Sequence, residues 1–423
     1  MNGVLLGKFL PPHRAHELLI DVARRDQAAR GGSLTVLVCG TGADPIPPGL
    51  RALWISETFP DVRVTVLDAP VQQAPDPAAP AADTPFWDMW HRLLRAAVGG
   101  PVEVVYAGED YGARLAADLG AEFFLVDRHG QVMADSGTSL RAGVLGSFDR
   151  LLPAARGDVV VKVAIVGPES CGKSTGAAAL ARRFATRHVP EHARDVLELH
   201  DYDERLELFD QFVRGQRALA AAAAAQANRL LVCDTDELTT LLWARALHAA
   251  SPAPIVAAVD ALSAPRFFDH HLLFDTDLPF VQDGTRAPDG VRRHTTADFA
   301  AELETRGLPY TVVRGTGEAR TDAAAEVVER LLTERDRPLA FPADEPVDWA
   351  QRAWLRASQD PARAEARARV RSVVMPTDAL VFDPALARRV PAAWNAPEPG
   401  ETGVAPTSTR STPHHQQGAG EGI

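Results

Sequence analysis

The chain has 423 residues, 46% of them hydrophobic and 24% charged, so it exceeds one ordinary domain and lacks the composition of a disordered protein. Its formal net charge of -12, from 56 acidic and 44 basic residues, argues against nucleic acid as a partner but leaves room for a local basic nucleotide pocket. Three cysteines without a CxxC pair argue against a disulfide framework, no apolar run approaches the ~18–20 residues of a membrane span, and the start is not signal-like, so the expectation is a cytoplasmic protein with no membrane partner.

Apolar runs at residues 3–6, 34–39, 62–67, 102–106 and 122–126 predict strands, and amphipathic stretches at 15–30 and 86–98 predict helices between them. This alternation predicts a Rossmann-like α/β domain over residues 1–155, with its ligand beyond the carboxyl ends of parallel strands. Residues 69–85, rich in Pro and Ala, read as a surface loop. Strand candidates at 159–166, 188–190, 230–233, 271–274 and 310–313, with helices at 174–186 and 206–228, predict a second α/β domain over 156–337. Residues 338–394 form an extension in which 348–372 suit one or two helices anchored by Trp349 and Trp354, and 395–423 have the composition of a disordered tail.

Gly7-Lys8-Phe9-Leu10-Pro11-Pro12-His13-Arg14-Ala15-His16 follows the first predicted strand. Gly7 allows close approach of a phosphate, the prolines stiffen the turn, and His13 and His16 share one face of the helix start. Imidazoles and free helix N–H groups there would address one anion. Further on, Ser136-Gly137-Thr138-Ser139-Leu140-Arg141 places hydroxyls and an arginine at another helix start, which by itself is also an ordinary helix cap. The first string resembles the GxFxPxHxGH signature of the nucleotidyltransferase superfamily, with Ala15 where that signature has glycine, and the second resembles its ISGTxIR motif. The resemblance implies adenylyl transfer with ATP held by Gly7, Lys8, Phe9, His13, His16, Ser136, Gly137, Thr138 and Arg141, of which His13, His16 and Arg141 are catalytic. Trp87, in a WxxW pair with Trp90, either stacks on a substrate ring or packs in the core.

Gly167-Pro168-Glu169-Ser170-Cys171-Gly172-Lys173-Ser174-Thr175 satisfies GxxxxGK[ST] between a predicted strand and helix. Loop N–H groups cradle phosphates in such a P-loop, Lys173 is the catalytic cation, and the Ser174 hydroxyl suits Mg²⁺. Asp234 ends a later apolar strand as a Walker B carboxylate does and is the second candidate metal ligand. In Val189-Pro190-Glu191-His192-Ala193-Arg194-Asp195, Asp195 is a candidate catalytic carboxylate, with Glu191 and Arg194 as substrate contacts; an exposed charged loop would read the same. Asp236 and Asp283 are further substrate-binding candidates, and the stretch to Arg286, Arg292 and Arg293 suits an arginine-bearing lid.

The order GKFLPPHRAH, SGTSLR, GPESCGKST, VPEHARD, CDTD and DLPFVQDGTR resembles the bifunctional NadR-type family over about residues 1–335. That resemblance implies a Rossmann-like nucleotidyltransferase domain followed by a P-loop kinase domain. The kinase would phosphorylate nicotinamide riboside with ATP, and the transferase would convert nicotinamide mononucleotide and ATP to NAD and pyrophosphate, with Mg²⁺ as cofactor. Phosphate motifs leave other nucleosides open, as they do a sensor with one inactive half, and the oligomeric state stays open, a homo-oligomer included.

Overall fold

The computed structural model describes residues 1–40, 44–68, 71, 84–128, 130–249, 253–263, 266–281, 291–336 and 348–373. Asp283, Arg286, most of 69–85 and the 395–423 tail lie outside these residues.

The first lobe runs β1 (Asn2–Gly7), α1 (Arg14–Ala29), β2 (Ser33–Gly40), α2 (Pro48–Thr58), β3 (Arg63–Asp68), α3 (Thr84–Val98), β4 (Val104–Ala107), α4 (Tyr111–Leu119), β5 (Glu122–Leu125) and α5 (Gly137–Ala142). The second begins with α6 (Pro153–Val159), β6 (Val161–Val166), α7 (Lys173–Arg183), β7 (Arg187–Val189), α8 (His192–Leu199) and α9 (Leu206–Ala224). It continues through β8 (Leu230–Asp234), α10 (Glu237–Leu247), α11 (Ala253–Ser263), β9 (His270–Phe274), α12 (Thr296–Thr305), β10 (Tyr310–Val313) and α13 (Gly317–Arg335). After these come α14 (Asp348–Gln359), α15 (Ala364–Arg369) and β11 (Val370–Ser372).

Two parallel sheets result, ordered β11-β3-β2-β1-β4-β5 and β10-β9-β6-β8-β7. Every residue of β6 and β8 is buried, and all but Lys162 and Asp234 are apolar, as expected of strands covered on both faces. In each sheet the order of connection reverses beside one strand, β1 in the first and β6 in the second. Such a reversal leaves a crevice past the strand's carboxyl end, where ligands of doubly wound folds bind. Gly7 ends β1 and the Gly167–Thr175 loop follows β6, so both phosphate-binding strings sit at the switch points of their sheets.

Two local details depart from the sequence expectation. The strand expected from 159 starts at Val161, because Pro153 occupies the first turn of a helix that runs to Val159. The extension carries a strand as well as helices: β11 pairs with β3 as an added edge, from Val370 opposite Val64 to Ser372 opposite Val66. Three residues are too few to show a period of two in sequence.

Candidate functional site

The backbone places the first-lobe histidines. His13 is extended and caps α1, and its main-chain N–H donates to Nδ1 of His16 at 3.3 Å. A main-chain bridge between His13 and Leu151, with Leu152 N–H donating to Pro12 O at 3.3 Å, pins the turn to the segment leading into α6. The imidazoles lie with ring centroids 3.8 Å apart, and Phe9 meets His16 edge-on at 4.8 Å. Because Nδ1 of His16 accepts a hydrogen bond, a neutral His16 carries its proton on Nε2, a donor suited to a phosphoryl oxygen. The buried Nδ1 of His13 has no hydrogen-bond partner among the described residues. Such an atom is a group that a ligand can satisfy.

The second string reaches the same turn. Ser136 caps α5, its hydroxyl accepting from Ser139 N–H at 3.2 Å. Arg141 donates through Nη1 to Leu10 O at 2.6 Å and through Nη2 to Thr138 Oγ1 at 3.0 Å. A Cβ on Gly137 would stand 2.8 Å from Leu10 O, so only glycine lets α5 start this close to the proline turn. His13, His16, Ser136, Thr138 and Arg141 are therefore gathered around one turn. Trp87 does not join them. It is 7% exposed, packed edge-on against Phe86 at 4.9 Å with the Arg114 guanidinium over its ring, so its place is in the core beside α4.

Burial, then the nearby Arg141 charge, push the His13 imidazole down to about 4, and burial followed by His13 pushes His16 well below its usual range. Both rings are neutral at pH 7 in the ligand-free chain. A depressed folded-state value means that the unfolded chain takes up this proton first as the pH falls. The His13 contribution to stability is therefore complete above its ordinary 6.5 and lost as the pH drops to about 4. We expect His13→Gln to remove from the stability–pH curve a loss on the order of 3 kcal/mol across that window, read by urea unfolding at a series of pH values.

In the second lobe the Gly167–Thr175 loop wraps the N-terminus of α7. Lys173 Nζ donates to the Gly167 and Pro168 carbonyls, both at 2.9 Å, and so lies inside the loop's own cradle. The Ser174 hydroxyl lies beside the carboxylate of Asp234 and favours its charged form, and Asp234 Oδ1 is buried with no hydrogen-bond partner among the described residues. Burial and then the neighbouring Glu191 raise the Asp234 carboxyl, with Ser174, Lys173 and Arg194 opposing. Glu191 in turn accepts from Arg194 Nε at 2.7 Å. Burial likewise raises the Cys171 thiol, which suits a passive loop residue.

Asp195 is exposed in the first turn of α8, while Glu191 is the acidic group facing Asp234. Asp236 is buried as the cap of α10, accepting from Leu238 N–H at 3.1 Å and Thr239 N–H at 3.2 Å and meeting His271 Nε2 at 3.1 Å. Its oxygens thus serve helix and core. Arg292 Nε donates to Glu169 O at 2.8 Å, and Arg293 N–H to Glu169 Oε1 at 3.0 Å, so that segment closes directly on the loop. Two buried arginines had no local sequence signal. Arg320, from α13, donates to Cys171 O and to Gly315 O at 2.6 Å, fixing the loop from behind. Arg51, from α2, donates to Lys8 O and to Cys39 O at 3.2 Å and pairs with Asp44. The bonds to Cys171 O and Lys8 O join residues far apart in sequence, which leaves no spacing to read.

Two doubly wound lobes, each with a glycine-bearing loop and nearby cations at its switch point, give the fold of a nucleotide-binding protein whose second lobe is P-loop kinase-like. The AAA domain family matches residues 162–320. Among curated proteins, the chain is 26% identical over 308 residues to the trifunctional NAD biosynthesis/regulator protein NadR of Escherichia coli (strain K12), covering 67% of this chain and 71% of that one. It is 26% identical over 307 residues to the protein of the same name from Salmonella typhimurium. A crystal structure of NadR protein in complex with NR shares the fold, with TM-score 0.58 at 19% identity over 78% of this chain and 95% of that one. A structure of NadR protein in complex with NAD and AMP-PNP gives 0.57 over 78% and 96%. The chain thus resembles NadR proteins in sequence over about two thirds of its length and shares their fold. No helix among the described residues is long and apolar enough to cross a membrane.

Proposed function

We propose that the chain makes NAD from nicotinamide riboside in two ATP-dependent steps, each at its own lobe. The observation that carries this reading is the pair of separate cradles, His13–His16–Arg141 in one and Lys173–Ser174–Asp234–Glu191 in the other. In the second lobe the riboside hydroxyl attacks the γ-phosphorus of ATP and ADP leaves. Glu191, aligned by Arg194, orients that hydroxyl, and Lys173 neutralises the transferring phosphoryl group. In the first lobe an oxygen of the mononucleotide 5′-phosphate attacks the α-phosphorus and pyrophosphate leaves. There Arg141 and the His16 Nε2–H meet the growing charge.

Mg²⁺ fits the second cradle. Ser174 and the unpaired Asp234 oxygen are hard oxygen donors, and Mg²⁺ favours a site completed by phosphates and water. When bound, the ion would neutralise phosphate charge.

Purified chain with Mg-ATP tests the proposal by chromatography. Nicotinamide riboside should yield mononucleotide and ADP, and mononucleotide should yield NAD and pyrophosphate. Turnover of uridine in place of nicotinamide riboside would reassign the substrate. Tight NAD binding with neither turnover would make the chain a sensor.

A further inference from the structure

Helix α2 is unusual for the face of a doubly wound sheet, because nearly its whole circumference is buried, from Pro48 and Leu50 through Ser56. A third layer covers it: α14, α15 and the edge strand β11 all lie against it. The grip is specific. A Cβ on Gly49 would stand 2.6 Å from the Trp354 ring, so indole and helix backbone are in direct contact. Arg363 binds Glu57 at 2.8 Å and Asp158 at 2.7 Å, and the Trp54 indole N–H donates to the same Asp158 oxygen at 2.7 Å. Ser56 donates its hydroxyl to Ala366 O at 3.0 Å, and Arg369 donates to Ser56 O at 3.1 Å. From the same helix Arg51 reaches the Lys8 carbonyl, the Cys39 carbonyl and Asp44, on the opposite side from the strap.

We infer that residues 348–373 act as a strap that holds α2 in place, and that Arg51, carried by α2, is thereby a positioning residue for the Gly7–Lys8 turn of the first cradle. The inference rests on the proposed adenylyl-transfer role of that cradle. Among the described residues, Trp354, Arg363 and Arg369 bond to none of the proposed nucleotide-binding residues. The strap also holds the second lobe, Arg363 pairing with Asp158 of α6 and Arg356 donating to Phe267 O at 3.0 Å, so both reactions are followed; through α2, removing anchors should loosen ATP binding in the first lobe rather than slow the chemistry at His16 and Arg141.

The test uses the full chain carrying Trp354→Ala and Arg363→Ala together, compared with the parent by hydrogen exchange of the 48–58 segment and by the kinetics of both reactions. Exchange in α2 should accelerate about tenfold or more. The KM for ATP in adenylyl transfer should rise about tenfold with kcat nearly unchanged, while riboside phosphorylation stays within about twofold. Arg363→Lys alone should restore most of the ATP affinity. Unchanged exchange in α2 overturns the inference. So does faster exchange with unaltered adenylyl transfer, or an equal loss of both reactions. Should the double variant not fold, Arg369→Ala, which loses two hydrogen bonds to Ser56 and the pair with Glu365, gives the same readouts on a smaller scale. A parent chain with slowly exchanging α2 and no adenylyl transfer would refute the underlying functional reading and leave the strap's grip on α2 measured separately.

Discussion

Lys173→Ala should reduce phosphorylation of nicotinamide riboside by about 10³-fold and leave adenylyl transfer within about twofold of the parent. The size follows from where the charge sits. Nζ lies 2.9 Å from both the Gly167 and Pro168 carbonyls, within the loop that follows β6, so it is already positioned where terminal phosphate oxygens would lie. A charge placed in advance needs no reorganisation as the phosphoryl group transfers, and its loss falls on kcat. Arg320 and Arg292 continue to hold the loop backbone, so the variant should still fold. The check is a parallel rate measurement of the two reactions on one preparation. Equal losses in both would show that the two cradles are not independent sites.

His16→Ala should have the converse effect, a loss of about 10²- to 10³-fold in adenylyl transfer with phosphorylation preserved. The ring is fixed on two sides, by Phe9 at 4.8 Å and by His13 at 3.8 Å, and its Nδ1 is committed to the His13 main chain. Only Nε2 is left to a ligand, as a neutral donor. Alanine removes that donor, opens space beside Phe9 and leaves the His13 N–H without its acceptor. Steady-state kinetics with varied ATP and mononucleotide would read the loss. Retention of more than a tenth of the parent rate would remove His16 from the catalytic set.

Much of this protein is legible in the chain itself. The strand runs of β6 and β8 are buried on both faces, so apart from Lys162 and the terminal Asp234 they are apolar and easily seen. The phosphate-binding strings are equally visible, because a backbone that must wrap an anion needs glycine, proline, hydroxyls and cations at fixed short offsets. Where a side chain answers to a distant partner, the sequence is silent or divided. Asp236 stands at a strand end as a ligand carboxylate would, yet its oxygens are taken by the α10 N-terminus and His271. Glu191 and Asp195 look equivalent four residues apart, and the turn of α8 brings only Glu191 to face Asp234. Helix α2 shows little amphipathic contrast because the strap covers its outer face, so periodicity passes it by.

The sequence by itself determined the two α/β halves and their order, and marked two strings suited to phosphate, because these depend on local spacing and on apolar runs that need no partner to be read. Only the tertiary structure decided that Arg51 and Arg320 brace the two cradles, that Trp87 belongs to the core, and that the segment after α13 returns to complete the first sheet. Those outcomes depend on contacts between residues far apart in the chain, and such contacts impose no pattern on the residues beside them.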